Sequence, residues 1–366
     1  MTEDVYRNLQ KHFDQFALGF PATESGIEIR LLKHLFTPDE AEIALHLGHA
    51  DFGSIKNLES LEDIYERVKH LGYDSEELEK LLDNMARKGA IIGVTEDDIK
   101  SYANVFLVLG IYEFQVNKLT EEFLEDFYQY INEAWGPANE KVKTPQMRII
   151  PIGINLDFEK KIENYDNIKT LFEKAEKPFI ITNCVCRQSK DLLGDPCKMT
   201  NRREVCMGFG DLAKVYIEHG WGREITREEA LNYLKKNEQE GLIFQPGNSQ
   251  DMNFICSCCS CCCGTISSLK RLPNPADYTT SNYYAKIDEA LCIGCGSCIE
   301  RCQMNAITLK DNISRIDLKR CIGCGNCALE CPSDAIGLYK KEKHNIPPKN
   351  VEELNSIMAK ERKAKN

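Results

Sequence analysis

The chain has 366 residues, 42% of them apolar, and a formal net charge of −11. That length calls for two or three domains, and the acidic balance argues against non-specific nucleic-acid binding. The longest apolar run, Val105–Ile111, is far short of a membrane span. Eighteen cysteines behind a polar Met1–Phe13, with no secretory pattern, point to metal ligands in a reducing, cytoplasmic setting rather than to a disulfide framework.

Charge is unevenly spread. Residues 1–100 carry 11 Lys and Arg against 21 Asp and Glu, whereas the tail, 341–366, carries 7 Lys and Arg against 4 Glu. Ile27–Phe36 has apolar residues at helical spacing. Thr37, Pro38 and Glu40 then form a capping box for a second helix that runs to about Leu47. A third helix is expected over Leu58–Leu71. A fourth, Ser75–Arg87, is opened by Ser75 and ended by Gly89, with Leu78, Leu81, Leu82 and Met85 on one face. Ala90–Val94 and Tyr102–Val108 read as strands around the turn Thr95–Lys100. This order of helices followed by a two-stranded wing resembles the winged-helix superfamily, many of whose members read DNA. The fourth helix, however, presents Glu76, Glu77, Glu79 and Asp83, the reverse of a basic recognition face. A protein-docking or structural role is therefore expected, without nucleic acid.

Leu119–Trp135 reads as an amphipathic helix, Ala138–Pro145 as a linker and Arg148–Ile154 as a short strand. The β-branched run Phe179–Thr182 leads into Cys184-Val-Cys186-Arg187, followed by Cys197 and Cys206. If the strand continues, Cys184 and Cys186 share one face, and the loop with Gly194 and Pro196 brings Cys197 round to them. Four cysteines so close together, with Arg187, Lys190, Arg202 and Arg203 to offset thiolate charge, read as a metal site, an iron–sulfur cluster ahead of zinc; buried thiols are the plainer alternative. Thr226 and Glu229 cap a further helix that Gly241 stops, and Leu242–Phe244 reads as a strand. Next comes Cys256-Ser-Cys258-Cys259-Ser-Cys261-Cys262-Cys263-Gly264. In an extended chain Cys256, Cys258 and Cys262 face one way and Cys259, Cys261 and Cys263 the other; in a helix Cys258 meets Cys262 and Cys259 meets Cys263. Six thiols exceed the ligands of one ordinary cubane, which leaves some to complete the site of Cys184–Cys206 or to stay free. One or two iron–sulfur clusters are expected in this middle region.

Two runs of the form C-x2-C-x2-C-x3-C follow. Cys292, Cys295, Cys298 and Cys302 make the first, and Cys321, Cys324, Cys327 and Cys331 the second, with Pro332 after the latter but Gln303 after the former. Three cysteines two residues apart let a tight loop hold three corners of a cubane, and Gly294, Gly296, Gly323 and Gly325 let backbone amides approach the sulfurs. Zinc sites or disulfides explain a tandem repeat of this kind poorly. Residues 283–340 resemble the bacterial dicluster ferredoxins. The resemblance implies two short hairpins, two helices, two [4Fe–4S] clusters and electron transfer. It also implies crossed ligation: Cys292, Cys295, Cys298 and Cys331 for one cluster, Cys321, Cys324, Cys327 and Cys302 for the other. Residues 179–340 together resemble "4Fe-4S binding" proteins of anaerobic bacteria and archaea, which implies a subunit or partner of an oxidoreductase complex.

The expected class is α+β: a winged-helix-like domain (1–110), a cysteine-rich α/β domain (111–280), a dicluster ferredoxin domain (281–340) and a charged tail (341–366). The expected function is electron relay to a redox partner protein or complex, with peripheral attachment to a membrane complex compatible with the sequence. An oxidoreductase with a catalytic middle cluster and an iron–sulfur sensor acting through the winged helix are the alternatives. No dinucleotide or nucleoside-triphosphate loop is present; a flavin, whose folds often lack a short motif, stays open. No residue is singled out as catalytic.

Overall fold

The computed structural model describes residues 2–139, 142–153 and 163–364. It mixes helices and sheets, in keeping with an α+β chain, and divides into two compact units. The first comprises residues 1–144, 210–223 and 351–366; the second comprises 145–209 and 224–350 and contains every cysteine. The segment expected to be ferredoxin-like lies within the second unit.

In the first unit, helices Ile27–Leu35, Pro38–Ala44, Leu61–Val68 and Ser75–Arg87 bury Leu31, Leu32, Ile43, Ile64, Leu78 and Leu82. Thr37 and Glu40 form the expected capping box. The fourth helix is capped by Asp74, one residue earlier than expected, because the Asp74 carboxylate accepts from the Glu77 amide while Glu77 reaches back to the Asp74 amide. Strands β1 (Glu59–Ser60), β2 (Ile92–Glu96) and β3 (Ile99–Ala103) form an antiparallel sheet in the order β1-β3-β2. The β2–β3 turn is shorter than the expected Thr95–Lys100. Asp97 and Asp98 both take positive φ, 48° and 64°, which closes a two-residue hairpin. Helices Glu121–Tyr130, Gly210–Glu218 and Val351–Lys363 also belong to this unit.

The second unit is built on a five-stranded sheet made of β4 (Phe179–Asn183), β5 (Glu204–Phe209), β6 (Arg223–Ile225), β7 (Ile243–Pro246) and β8 (Phe254–Cys258), in the order β6-β4-β5-β8-β7. Phe172, Phe179, Ile181, Phe209, Phe244 and Ile255 form its core. Met147 and Ile150 make only isolated bridges, to Gly247 and Phe244, in place of the expected strand from Arg148; the last residue of that expected strand, Ile154, lies outside the described residues. The reason is visible in Arg148. Its buried guanidinium donates to Ser249 O at 2.7 Å and Tyr165 O at 2.6 Å and pairs with Asp166 at 3.4 Å, which holds this stretch against loops instead of along a strand.

In the ferredoxin-like segment, β9 (Tyr283–Ile287) and β12 (Ile336–Lys340) pair antiparallel, as do β10 (Ile307–Lys310) and β11 (Ile313–Ile316), with short helices at Ser297–Arg301 and Asn326–Leu329. Only β10–β11 is a hairpin. The other pair joins the first and last strands of the segment, so the expected second hairpin is a closure between its ends. One apolar cluster runs from Ile149, Ile243, Cys258, Cys263 and Ile266 to Cys298, Cys321, Cys327 and Leu338, so this segment packs against β7, β8 and the chain that follows them.

Candidate metal centres

The two C-x2-C-x2-C-x3-C runs surround two separate cavities. One, with about 280 Å³ of empty space, is lined by Cys292, Cys295, Cys298 and Cys331 with Gly294, Ser314 and Ala335 among its neighbours. The other, about 420 Å³, is lined by Cys302, Cys321, Cys324 and Cys327 with Ala285, Met304, Gly323 and Gly325. Each cavity thus receives three cysteines from one run and the last cysteine of the other. The loops work because their glycines take left-handed conformations. Gly294 has φ 68°, and an added Cβ would lie 2.4 Å from Asn312 O; Gly323 has φ 69°, and an added Cβ would lie 2.1 Å from Tyr283 O. Gly296 and Gly325 have φ 82° and 85° and immediately precede the two short helices.

Backbone amides point at sulfur in matching pairs. Ala306 N donates to Cys302 Sγ at 3.3 Å and Ala335 N to Cys331 Sγ at 3.2 Å; Ser314 N donates to Cys292 Sγ at 3.5 Å and Ala285 N to Cys321 Sγ at 3.4 Å. Such donors favour thiolate and tune the potential of anything it ligates. The cavities differ in exposure. Cys295 is exposed beside Leu291 and Ile293, which are 50% and 66% exposed. The amides of Ser314 and Gly294 lower the Cys292 thiol, and the Ser297 hydroxyl and amide lower that of Cys295. In the second cavity burial dominates: it raises Cys321 and Cys327 and pushes Cys324 up to about 12.

Residues 291–335 match the family described as the 4Fe-4S dicluster domain. Neither a curated protein nor a solved structure matches the chain. Four cysteines around each of two cavities, with amides aimed at their sulfurs, are a donor set of the kind a [4Fe–4S] cluster needs, so the residues fit the group the family implies. The dicluster domain and the cysteine clusters indicate an iron–sulfur, electron-transfer role.

The ten remaining cysteines divide differently from their order in sequence. β4 ends at Asn183, and Cys184 is the N-cap of helix Val185–Leu192, so Cys184 and Cys186 do not share one face of a strand as expected. The cause is local: the amides of Arg187 and Gln188 both donate to Cys184 O at 3.0 Å, which starts a helical turn. Cys206 on β5 and Cys256 and Cys258 on β8 bring further thiols alongside. The sulfurs of Cys186, Cys184, Cys206, Cys256, Cys258 and Cys263 approach one another in that sequence. Contacts from Cys186 and Cys206 lower Cys184, whereas each later thiol in the line is raised by the one before it and by burial.

The run 256–263 is neither wholly extended nor helical. It leaves β8 at Cys258 and turns, with Cys262 N and Cys263 N donating to Cys259 O at 3.4 and 3.1 Å. That turn sets the sulfurs of Cys259, Cys261 and Cys262 within 4.8 Å of one another and of Cys197. Arg187 is fully buried among the thiols and donates to Ser257 O at 3.0 Å and to Cys259 Sγ at 3.5 Å. The expected grouping of Cys197 with Cys184, Cys186 and Cys206 is kept at the level of packing, since one apolar cluster holds all four with Cys259, Cys261 and Cys262, but the sulfurs nearest to Cys197 are those of Cys259 and Cys261.

Gln303, the departure from proline after Cys302, also has a place here. Its side-chain oxygen accepts from Ser260 N at 2.7 Å, and its amide nitrogen donates to Gly241 O at 2.5 Å. It ties the first ferredoxin run to the turn of the cysteine-rich run, a role proline has no side-chain groups to fill. Its break with the repeat was the one signal in the sequence that marked it out.

Proposed function

We propose that the protein relays single electrons through two ferredoxin-type [4Fe–4S] clusters with crossed ligation and a further iron–sulfur cluster on the line Cys184–Cys263. The observation that carries this reading is the pair of cavities, each lined by three cysteines of one run and the last of the other. When bound, such clusters supply one-electron redox chemistry. The chain supplies the rest. Its thiolates ligate, its amides hold potential, and its apolar cluster keeps water from the inner cavity while linking Cys258 and Cys263 to Cys321 and Cys327. The exposed Cys295, flanked by Leu291 and Ile293, suits electron entry from a redox partner, with the buried second cavity next in line. The burial of Cys184, Cys258 and Cys263 and the nearness of Cys206, Cys256, Cys258 and Cys263 to Cys184 support a cluster there.

The first 110 residues are proposed to be a winged-helix module that docks protein. What supports this is the run of helices that ends at Ser75–Arg87 and is followed by the β2–β3 hairpin, with β1 paired beside β3. The lysines Lys80 of Ser75–Arg87 and Lys100 of the wing are already paired: Lys80 with Glu76, and Lys100 with Glu79 and Asp83. A reducing compartment and a partner oxidoreductase belong to the same reading. Among the described residues no helix is long and apolar enough to cross a membrane.

The test is anaerobic purification of the full chain, iron and sulfide counting, and EPR of the reduced protein, repeated on Cys331→Ala. Signals of interacting [4Fe–4S] centres are expected in the parent. The variant is expected to damage the centre held by Cys292, Cys295 and Cys298. Loss of the Cys321–Cys327 centre alone would refute crossed ligation, and absence of cubane signals in the parent would refute the reading itself.

A further inference from the structure

Cys197, Cys259, Cys261 and Cys262 are unlike every other cysteine group in the protein. Their four sulfurs all lie within 4.8 Å of one another, and no other set of three or more Cys, His, Asp or Glu ligand atoms among the described residues is so compact. Individual separations are 3.4 Å for Cys259–Cys261, 3.7 Å for Cys197–Cys259 and for Cys261–Cys262, and 3.9 Å for Cys197–Cys261. A tetrahedral ion with metal–sulfur bonds of about 2.3 Å sets its sulfurs about 3.8 Å apart by geometry alone. A cubane does not permit such spacing, because its irons and sulfides occupy the middle and hold the cysteine sulfurs on a larger tetrahedron. The two ferredoxin-type runs serve as an internal comparison: there the four cysteines of each set line a pocket, and no three of their sulfurs draw as close together. Disulfides are also excluded as the reason for the approach, since bonded sulfurs lie at about 2.05 Å.

From this geometry we infer that Cys197, Cys259, Cys261 and Cys262 bind one tetrahedral divalent cation, zinc or ferrous iron, with no bridging sulfide. The surroundings suit a doubly negative tetrathiolate. Arg187, with no solvent exposure, donates to Cys259 Sγ at 3.5 Å, and its Nε lacks a hydrogen-bond partner. Amides also reach the sulfurs: those of Met199 and Thr200 donate to Cys197, and that of Lys198 to Cys261. The site is closed. Cys259 and Cys262 are 0% and 3% exposed, and four protein ligands leave no open position for substrate. Its role is to cross-link the loop carrying Cys197 to the turn after β8, where Ser260 accepts no metal but holds Gln303 through its amide. It is thus a structural ion that fixes the cysteine-rich turn against the ferredoxin-like segment, distinct from the redox centres and independent of whether the relay reading holds.

The experiment compares the full chain with Cys261→Ser, both purified without oxygen, for zinc, iron and acid-labile sulfide. Loss of one zinc or one iron per chain with sulfide unchanged is expected, and which metal disappears identifies the ion. Sulfide lost together with iron, or an unchanged metal content, overturns the inference. Should the variant fail to fold, the unmodified chain gives the answer. Zinc-edge absorption is then expected to show a single shell of sulfur at about 2.3 Å, or Mössbauer spectra of iron-57 protein an isolated ferrous tetrathiolate. Finding neither refutes the assignment.

Discussion

Gly323 bears more constraint than any ligand beside it, because no side chain fits there. A Cβ would sit 2.1 Å from Tyr283 O and 2.7 Å from Ser281 Oγ, at φ 69°. The left-handed backbone alone costs a non-glycine residue on the order of 1–3 kcal/mol, and the carbonyl belongs to β9, which has little freedom to retreat. Gly323→Ala is expected to lower the melting temperature of the anaerobic protein by several degrees and to empty the Cys321 cavity before the Cys292 cavity, as read by iron content and EPR. Gln303 gives a second test. Removing its side chain leaves the Ser260 amide unpaired, at a cost of about 1–3 kcal/mol, while Gly241 O keeps its bond from Asn326 at 3.0 Å. Gln303→Ala is therefore expected to destabilise the protein by that order in anaerobic denaturant titrations while leaving all eight cysteines around the two cavities in place; an unchanged midpoint would show that the tie carries no stability.

Helix Pro38–Ala44 makes its electrostatics explicit. Burial raises the Glu40 carboxyl, but the ion pair with Lys88, the Thr37 amide at 2.7 Å and Asn84 at 3.0 Å more than compensate, so it lies below its ordinary 4.5. A carboxyl depressed on folding contributes stability that is fully present above its unfolded value and lost as pH falls through the folded one. Acid destabilisation of the N-terminal helices is expected to begin below about pH 4.5. In Glu40→Gln that pH dependence is expected to be blunted, and stability near neutrality lowered by about 1–3 kcal/mol through the lost charge-assisted bonds. Circular dichroism across pH 3–7 checks both. The helix was legible beforehand because its cap is a local device, with Thr37, Pro38 and Glu40 within four residues. Asp74 was missed for an equally local reason: Asp74 and Ser75 are both good caps, and the choice between them rests on which one Glu77 answers.

At the scale of the whole chain, acidic residues set what the protein meets. With a net charge of −11 and Lys80 of helix Ser75–Arg87 already paired, the full-length protein is expected to show no salt-sensitive retention of duplex DNA; tight binding that weakens steeply with salt, in an electrophoretic shift assay, would contradict this. The amino-acid sequence alone singled out the eight cysteines that line the two cavities, because C-x2-C-x2-C-x3-C with glycines between is a loop whose conformation is dictated within a dozen residues. It likewise determined the capping boxes and the amphipathic helices, whose signals repeat every turn. The division of the other ten cysteines was decided only in three dimensions. Nothing local distinguishes Cys197 from Cys206, or Cys258 from Cys259. Their grouping follows from where β4 stops, from the antiparallel register that sets Cys206 opposite Thr182 and Cys256 opposite Gln245, and from the turn at Cys259. These are long-range pairings, and no short stretch of sequence encodes them.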